Sequence, residues 1–220
     1  MKYRSVFDII GPVMIGPSSS HTAGAVRIGR MARRLFGSEP ERAEITLYGS
    51  FAETYKGHGT DVALVAGLLD FETDDPNLPQ AISIATDRGM NVSFNADRKR
   101  QVEHPNTARL QLEGGGNALE LVGVSIGGGK IEITEVDGFS ISLTGSNPAL
   151  LVLHRDKYGA VAEVAGLIAK YEMNISYMEV SRHEKGHLAM MVIQTDEEIS
   201  DGLAAEISGL PNMLNVAVLS

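Results

Sequence analysis

Between residues 149 and 219 the apolar side chains change period repeatedly, and few architectures absorb the resulting order. Residues 149–154 form an apolar strand that ends in a turn at Asp156-Lys157-Tyr158-Gly159. Val161, Val164, Ala165 and Ile168 then recur at helical spacing, which predicts an amphipathic helix over 159–171. Residues 174–182 and 188–194 alternate as strands around Glu184-Lys185-Gly186. A second helix over 197–208 and a last strand over 214–219 complete a β-α-β-β-α-β order, the split-βαβ or ferredoxin-like arrangement.

The preceding half reads as a separate α+β domain. Turn residues at Ser146-Asn147-Pro148 mark the boundary, giving domains over 1–146 and 148–220. Helices are predicted over 22–36, 60–69 and 78–88, and strands over 43–51, 91–95, 107–112, 118–126 and 130–136. On the first helix Ile28, Met31, Ala32 and Leu35 share one face, with Arg27, Arg30, Arg33 and Arg34 largely solvated. Asp137-Gly138 signals a hairpin. The runs Gly114–Gly116 and Gly127–Gly129 match neither a dinucleotide nor a phosphate-loop fingerprint, and are read as hairpin turns at positive φ.

Composition removes several function classes. The 220 residues include no cysteine, so neither a disulfide nor a thiolate-held metal cluster resides in this chain. The six histidines follow no zinc spacing, and no metal site is expected. A net charge of −9 argues against nucleic acid or an anionic membrane surface as partner. The N-terminal MKYRSVFDII lacks a signal-peptide apolar stretch, and a cytoplasmic location is expected.

Two segments carry chemistry. In Gly16-Pro17-Ser18-Ser19-Ser20-His21-Thr22-Ala23-Gly24, hydroxyl side chains stand directly before the first helix. Such side chains cap unpaired helical N–H groups, and the same helix end can hold a carboxylate. Five consecutive polar residues exceed what one cap requires. In Gly49-Ser50-Phe51-Ala52-Glu53-Thr54-Tyr55-Lys56-Gly57-His58-Gly59-Thr60-Asp61, His58 sits between two glycines. An imidazole there suits general acid–base work near neutral pH, whereas Thr60 or Asp61 could simply cap the next helix. His104, His183 and His187 read as loop residues, and Asp97-Arg98-Lys99-Arg100 as a solvated turn. His154 ends the first strand of the second domain, beside its first loop.

Together, GPSSSHTAG and GSFAETYKGHGTD resemble the first domain of bacterial iron–sulfur L-serine dehydratases, a domain of allosteric-substrate-binding type. HRDKYGAVAEVAGLIAKYEMNI and the element order around it resemble an ACT domain, the ligand-sensing module of many amino-acid enzymes. The resemblance spans essentially the whole chain and is to the separate beta subunit of a two-polypeptide enzyme. It implies a lyase converting L-serine to pyruvate and ammonia, inactive alone. It also implies an alpha subunit whose cysteines hold a [4Fe–4S] cluster, a Lewis acid toward the substrate. His58 is then the first choice for the base and His21 the second. Ser18, Ser19, Ser20 and Thr22 orient L-serine, and Lys56, Thr60 and Asp61 complete that site by positioning His58 or meeting the partner. Asp156, Tyr158, Gly159 and Ala160 form the effector loop, and self-association is expected through the ACT domain. The alternative is a regulatory amino-acid- or anion-sensing subunit, or an assembly subunit, without catalytic residues. A phosphoglycerate dehydrogenase fragment is a weaker option, since no dinucleotide fingerprint is present.

Overall fold

The computed structural model describes residues 12–219. The chain divides into two compact units, one ending at Gly138 and the next starting at Phe139. Among the described residues no helix is long and apolar enough to cross a membrane.

The first unit packs helices on a mixed sheet. Its strands are β1 (Arg42–Tyr48), β2 (Asn91–Asp97), β3 (Asn106–Gly114), β4 (Asn117–Gly127) and β5 (Lys130–Val136), ordered β2-β1-β3-β4-β5. β1 and β2 pair in parallel, Arg42 opposite Asn91 through Tyr48 opposite Asp97. A parallel pair needs a long crossover, which is supplied by α2 (Gly49–His58), α3 (Thr60–Leu68) and α4 (Ala81–Asp87). The remaining neighbours are antiparallel, and tight turns join β3 to β4 and β4 to β5. The glycine runs form these two turns, with Gly115, Gly116, Gly127, Gly128 and Gly129 all at positive φ, as expected from sequence.

α1 (Gly24–Phe36) lies across this sheet, burying Ala25, Val26, Ile28, Met31 and Ala32. It stops at Gly37, whose left-handed backbone (φ 81°) lets its N–H donate to the Arg33 carbonyl. α3 is apolar on nearly every face and is correspondingly buried almost throughout. α1 and α3 approach so closely that Gly29 and Gly67 face each other; a Cβ on Gly67 would lie 2.1 Å from the Val26 carbonyl oxygen.

Three sequence expectations change here. The strand predicted over 43–51 ends at Tyr48, and Gly49–His58 is the helix α2 with Phe51 buried inside it. Alternation continues through Phe51 in sequence, but Gly49 at φ 53° turns the chain out of the sheet. The arginine row of α1 is not simply solvated. Arg27 donates to the Gly129 carbonyl at 2.8 Å, and Arg30 pairs with Asp70 at 3.0 Å and Glu72 at 2.5 Å. The helix predicted over 78–88 opens as a 3₁₀ turn, Leu78–Gln80, before α4.

The second unit opens with β6 (Phe139–Leu143), entered through Asp137 and Gly138 at φ 47° and 80°. It continues as β7 (Ala149–Arg155), α5 (Ala160–Lys170), β8 (Ile175–Arg182), β9 (Leu188–Thr195), α6 (Asp201–Ser208) and β10 (Met213–Leu219). From β7 onward this is the expected βαββαβ order, with a sheet β10-β7-β9-β8. Leu150, Val152, Met191 and Ile193 of the sheet pack on Val164 and Ile168 of α5 and Leu203 and Ile207 of α6. The second helix begins at Asp201 rather than 197, because Ser200 is its N-cap and accepts from the Leu203 N–H at 3.2 Å.

Candidate active site

Ser18 ends the incoming extended segment (φ −144°, ψ 125°) and starts a helical turn. Its Oγ accepts from the His21 N–H at 3.1 Å, and its carbonyl from the Thr22 N–H at 2.8 Å. Residues Ser19–Ala23 then form one wide π-turn, closed by the Gly24 N–H donating to the Ser19 carbonyl. Single π-turns are rare and gather at functional sites. The turn merges into α1 at Gly24, where a side chain has no room: a Cβ would stand 2.1 Å from Ser125 Oγ on β4.

This turn presents His21 between two hydroxyls. Ser20 Oγ lies 3.0 Å from Nδ1, with Ser18 Oγ at 3.5 Å from the same nitrogen. Ser50 Oγ, from the first turn of α2, lies 3.0 Å from Nε2. The ring meets Phe51 edge-on at 5.2 Å between centroids and His58 at 4.8 Å. Burial, and secondarily the neighbouring His58, hold the His21 imidazole below its ordinary titration range. His21 is therefore uncharged at neutral pH.

His58 is the last residue of α2, and Gly59 (φ 65°) turns the chain straight into α3. Thr22 Oγ1 donates to the His58 carbonyl at 3.2 Å, tying the π-turn to this corner. The His58 side chain differs from His21 in one decisive respect: its Nδ1 is buried and has no hydrogen-bond partner. Thr60 Oγ1 and Ser125 Oγ are buried and unpartnered as well. Unsatisfied buried polar atoms are uncommon and costly, so their accumulation around one turn marks a place prepared for a ligand.

The structure thus brings together Ser18, Ser20, His21, Thr22 and His58 by direct contact, with Ser19 inside the same turn. Neither Thr60 nor Asp61 caps α3; the N-cap is Gly59, without a side-chain bond. Asp61 is instead buried and bound to Lys56 Nζ at 2.7 Å, a contact that raises the Lys56 ammonium above its usual range. Sequence reasoning missed Ser50 and Phe51 as neighbours of His21, although both lie within the motif containing His58. Among the described residues no group of three or more His, Cys, Asp or Glu side chains could hold a metal ion. With no cysteine either, this chain does not fit as the holder of an iron–sulfur cluster.

In the second unit the expected effector loop has a defined structural task. Asp156 accepts from the Gly186 N–H at 2.8 Å and from Arg182 Nη1 at 3.0 Å, latching the β8–β9 turn. Tyr158 is fully exposed, Gly159 (φ 90°) is the N-cap of α5, and Ala160 is buried. His154 is buried, with Nδ1 at 2.9 Å from the Arg155 carbonyl and Nε2 unpartnered. The Gly186 amide, followed by Arg182, holds the Asp156 carboxyl below its ordinary range. A depressed carboxyl contributes stability above its unfolded pKa, and that contribution disappears as pH falls through the folded one. Asp156→Asn is accordingly expected to destabilise the second unit at neutral pH, the gap to wild type closing below about pH 4. Urea unfolding across this pH range reads the difference.

Comparison with known proteins gives a consistent picture. Residues 5–136 match the family described as serine dehydratase beta chain, and residues 149–212 match the ACT domain. The chain is 56% identical to a probable L-serine dehydratase beta chain of Bacillus subtilis over the full length of both. It is 33% identical to the L-serine dehydratase beta chain of Peptoniphilus asaccharolyticus, covering 94% of this chain and 93% of that one. It is also 29% identical to a D-3-phosphoglycerate dehydrogenase of Synechocystis, over 84% of this chain but 33% of that enzyme.

Proposed function

Since the chain belongs to the serine dehydratase beta chain family, we propose that it works in the cytoplasm with a cluster-bearing alpha subunit to deaminate L-serine to pyruvate and ammonia. The observation that carries the catalytic part is the unequal histidine pair. Both His21 nitrogens are occupied by serine hydroxyls, whereas His58 keeps an unpartnered nitrogen beside them. A base needs a nitrogen that no neighbour already engages, and the buried Nδ1 of His58 is such a nitrogen.

The Cα proton of serine is weakly acidic, so its removal needs a positioned base and stabilisation of the developing charge. In the proposed reaction His58 accepts this proton. The proton balances the departing β-hydroxyl as water, leaving aminoacrylate. Aminoacrylate tautomerises to an imine, which water hydrolyses to pyruvate and ammonia. Uncharged His21 does not repel a proton arriving on the adjacent ring. Ser18, Ser19, Ser20 and Thr22 stand at a helix start, where the dipole and hydroxyls favour the substrate carboxylate. The Lys56–Asp61 pair and Thr60 support the corner that carries His58. A [4Fe–4S] cluster belongs in this proposal to cysteines of the alpha subunit.

The match to an ACT domain supports an additional sensing role, with Asp156, Tyr158, Gly159 and Ala160 as the loop nearest an effector. Variants there are expected to shift the serine dependence and leave the maximal rate. Self-association through this domain belongs to the same proposal. The test of the main reading is anaerobic serine deamination by the chain alone and mixed with its cluster-bearing partner. Activity only in the mixture is expected. A stable complex with an intact cluster and no activity would leave a regulatory or assembly role instead.

A further inference from the structure

A flip of an imidazole about its Cβ–Cγ bond puts a carbon where each nitrogen stood, so a ring held at both nitrogens loses two contacts by flipping and a ring held at one loses one. Ser20 Oγ on Nδ1 and Ser50 Oγ on Nε2 hold His21 in this two-sided way, both at 3.0 Å. A neutral imidazole has one donor and one acceptor nitrogen, so one serine must donate where the other accepts. Either hydroxyl can take either role, so what the two residues, far apart in sequence, jointly hold is the plane of the His21 ring.

Ser50 is itself firmly placed. Its carbonyl accepts from Thr54 Oγ1 at 2.8 Å inside α2. Gly49 bridges to Asn106, and the Phe51 N–H donates to the Pro105 carbonyl at 3.4 Å. The hydroxyl therefore arrives on His21 from the end of β1, whereas the Ser20 hydroxyl arrives from the π-turn. On the Nδ1 side the line continues, Ser20 Oγ lying 3.3 Å from Ser18 Oγ. On the Nε2 side Ser50 is the partner found among the described residues.

We propose that Ser50 is a positioning residue that fixes the ring plane of His21, and through the contact of the two rings the orientation of His58. The assignment rests on the dehydratase reading for its effect on turnover, but its effect on His21 does not. Among the described residues His58 is the titratable group whose charge acts on His21. Loss of Ser50 leaves Nε2 without a partner and Nδ1 with its own, so the ring is held from one side and can tilt about its Cβ–Cγ bond.

The test compares wild type, Ser50→Ala and Ser50→Thr as full-length chains labelled with ¹⁵N-histidine, and measures kcat and KM of each after assembly with the cluster-bearing partner. Wild type is expected to show one narrow pair of His21 ring-nitrogen signals at neutral pH. Ser50→Ala is expected to shift and broaden the His21 Nε2 signal and to lower kcat by about 10–100-fold with KM little changed, as for a displaced catalytic group. Ser50→Thr, which keeps the hydroxyl, restores both. An unchanged His21 pattern in Ser50→Ala overturns the proposal, and so does an altered pattern with unchanged kcat. If the wild-type mixture itself fails to deaminate serine, the dehydratase reading falls, and with it the claim on turnover; the nitrogen shifts still decide whether Ser50 sets His21.

Discussion

His58→Ala is expected to lower kcat for serine deamination by the assembled enzyme by about 10²–10⁴-fold, the usual contribution of a positioned general base. The substitution removes the imidazole but keeps the backbone carbonyl that accepts from Thr22. The corner between α2 and α3 is held by that carbonyl, by Gly59 and by the Lys56–Asp61 pair, none of which is altered. Loss of turnover with retained assembly would thus be chemical. His21→Ala is expected to cost less, because its nitrogens already serve two serines. The order of the two effects separates the roles: if His58→Ala keeps near-normal turnover and His21→Ala does not, the base is His21.

Gly67→Ala is expected to destabilise the first unit by about 3 kcal/mol, at the upper end for overpacking. The added methyl would stand 2.1 Å from the Val26 carbonyl oxygen, 2.6 Å from the Arg30 nitrogen and 2.7 Å from the Gly29 Cα. All three are backbone atoms of α1, so no rotamer change relieves the contact; the helices must separate. For a chain of this size the melting temperature falls roughly 2–4 °C per kcal/mol. A thermal melt followed by circular dichroism reads this directly. Gly57→Ala is the control: nothing lies within 4 Å of its Cβ position, and in α2 alanine is the better helix former. Equal melting of the two variants would refute the crossing as a packing constraint. Because α1 begins at the π-turn, separating the helices also displaces His21.

The second unit was legible because α5 and α6 bury one face each, so the period of 3.6 survives, while β7 and β9, buried on both faces, read as short apolar runs between turn residues. The Asp137-Gly138 turn and the strand over 130–136 were equally plain, since turn chemistry and alternation agreed there. α2 was hidden for a physical reason: its first residue is a glycine at positive φ and two more glycines surround His58, so local propensity argued against helix while Phe51 prolonged the strand pattern. The arginines of α1 looked solvated because their partners come from distant loops, Gly129 for Arg27, and Asp70 and Glu72 for Arg30. The serine-rich motif announced a site, but not that Ser50 would reach His21 from another helix. The pairing of His21 with His58 came from resemblance, not spacing; contact between rings 37 positions apart is a property of the fold.

The π-turn has a consequence for what can vary in this segment. A turn widened by one residue sets the phase of everything before it against everything after it. Removing one serine between Ser18 and Gly24 would let the turn relax to ordinary α geometry and rotate the following positions by roughly 100° about the helix axis. His21 would then point away from Ser50, although each remaining side chain was chemically intact. Replacing the Ser19 side chain, by contrast, leaves the His21 contacts to Ser20 and Ser50 in register. In this part of the chain the number of residues is itself a functional parameter.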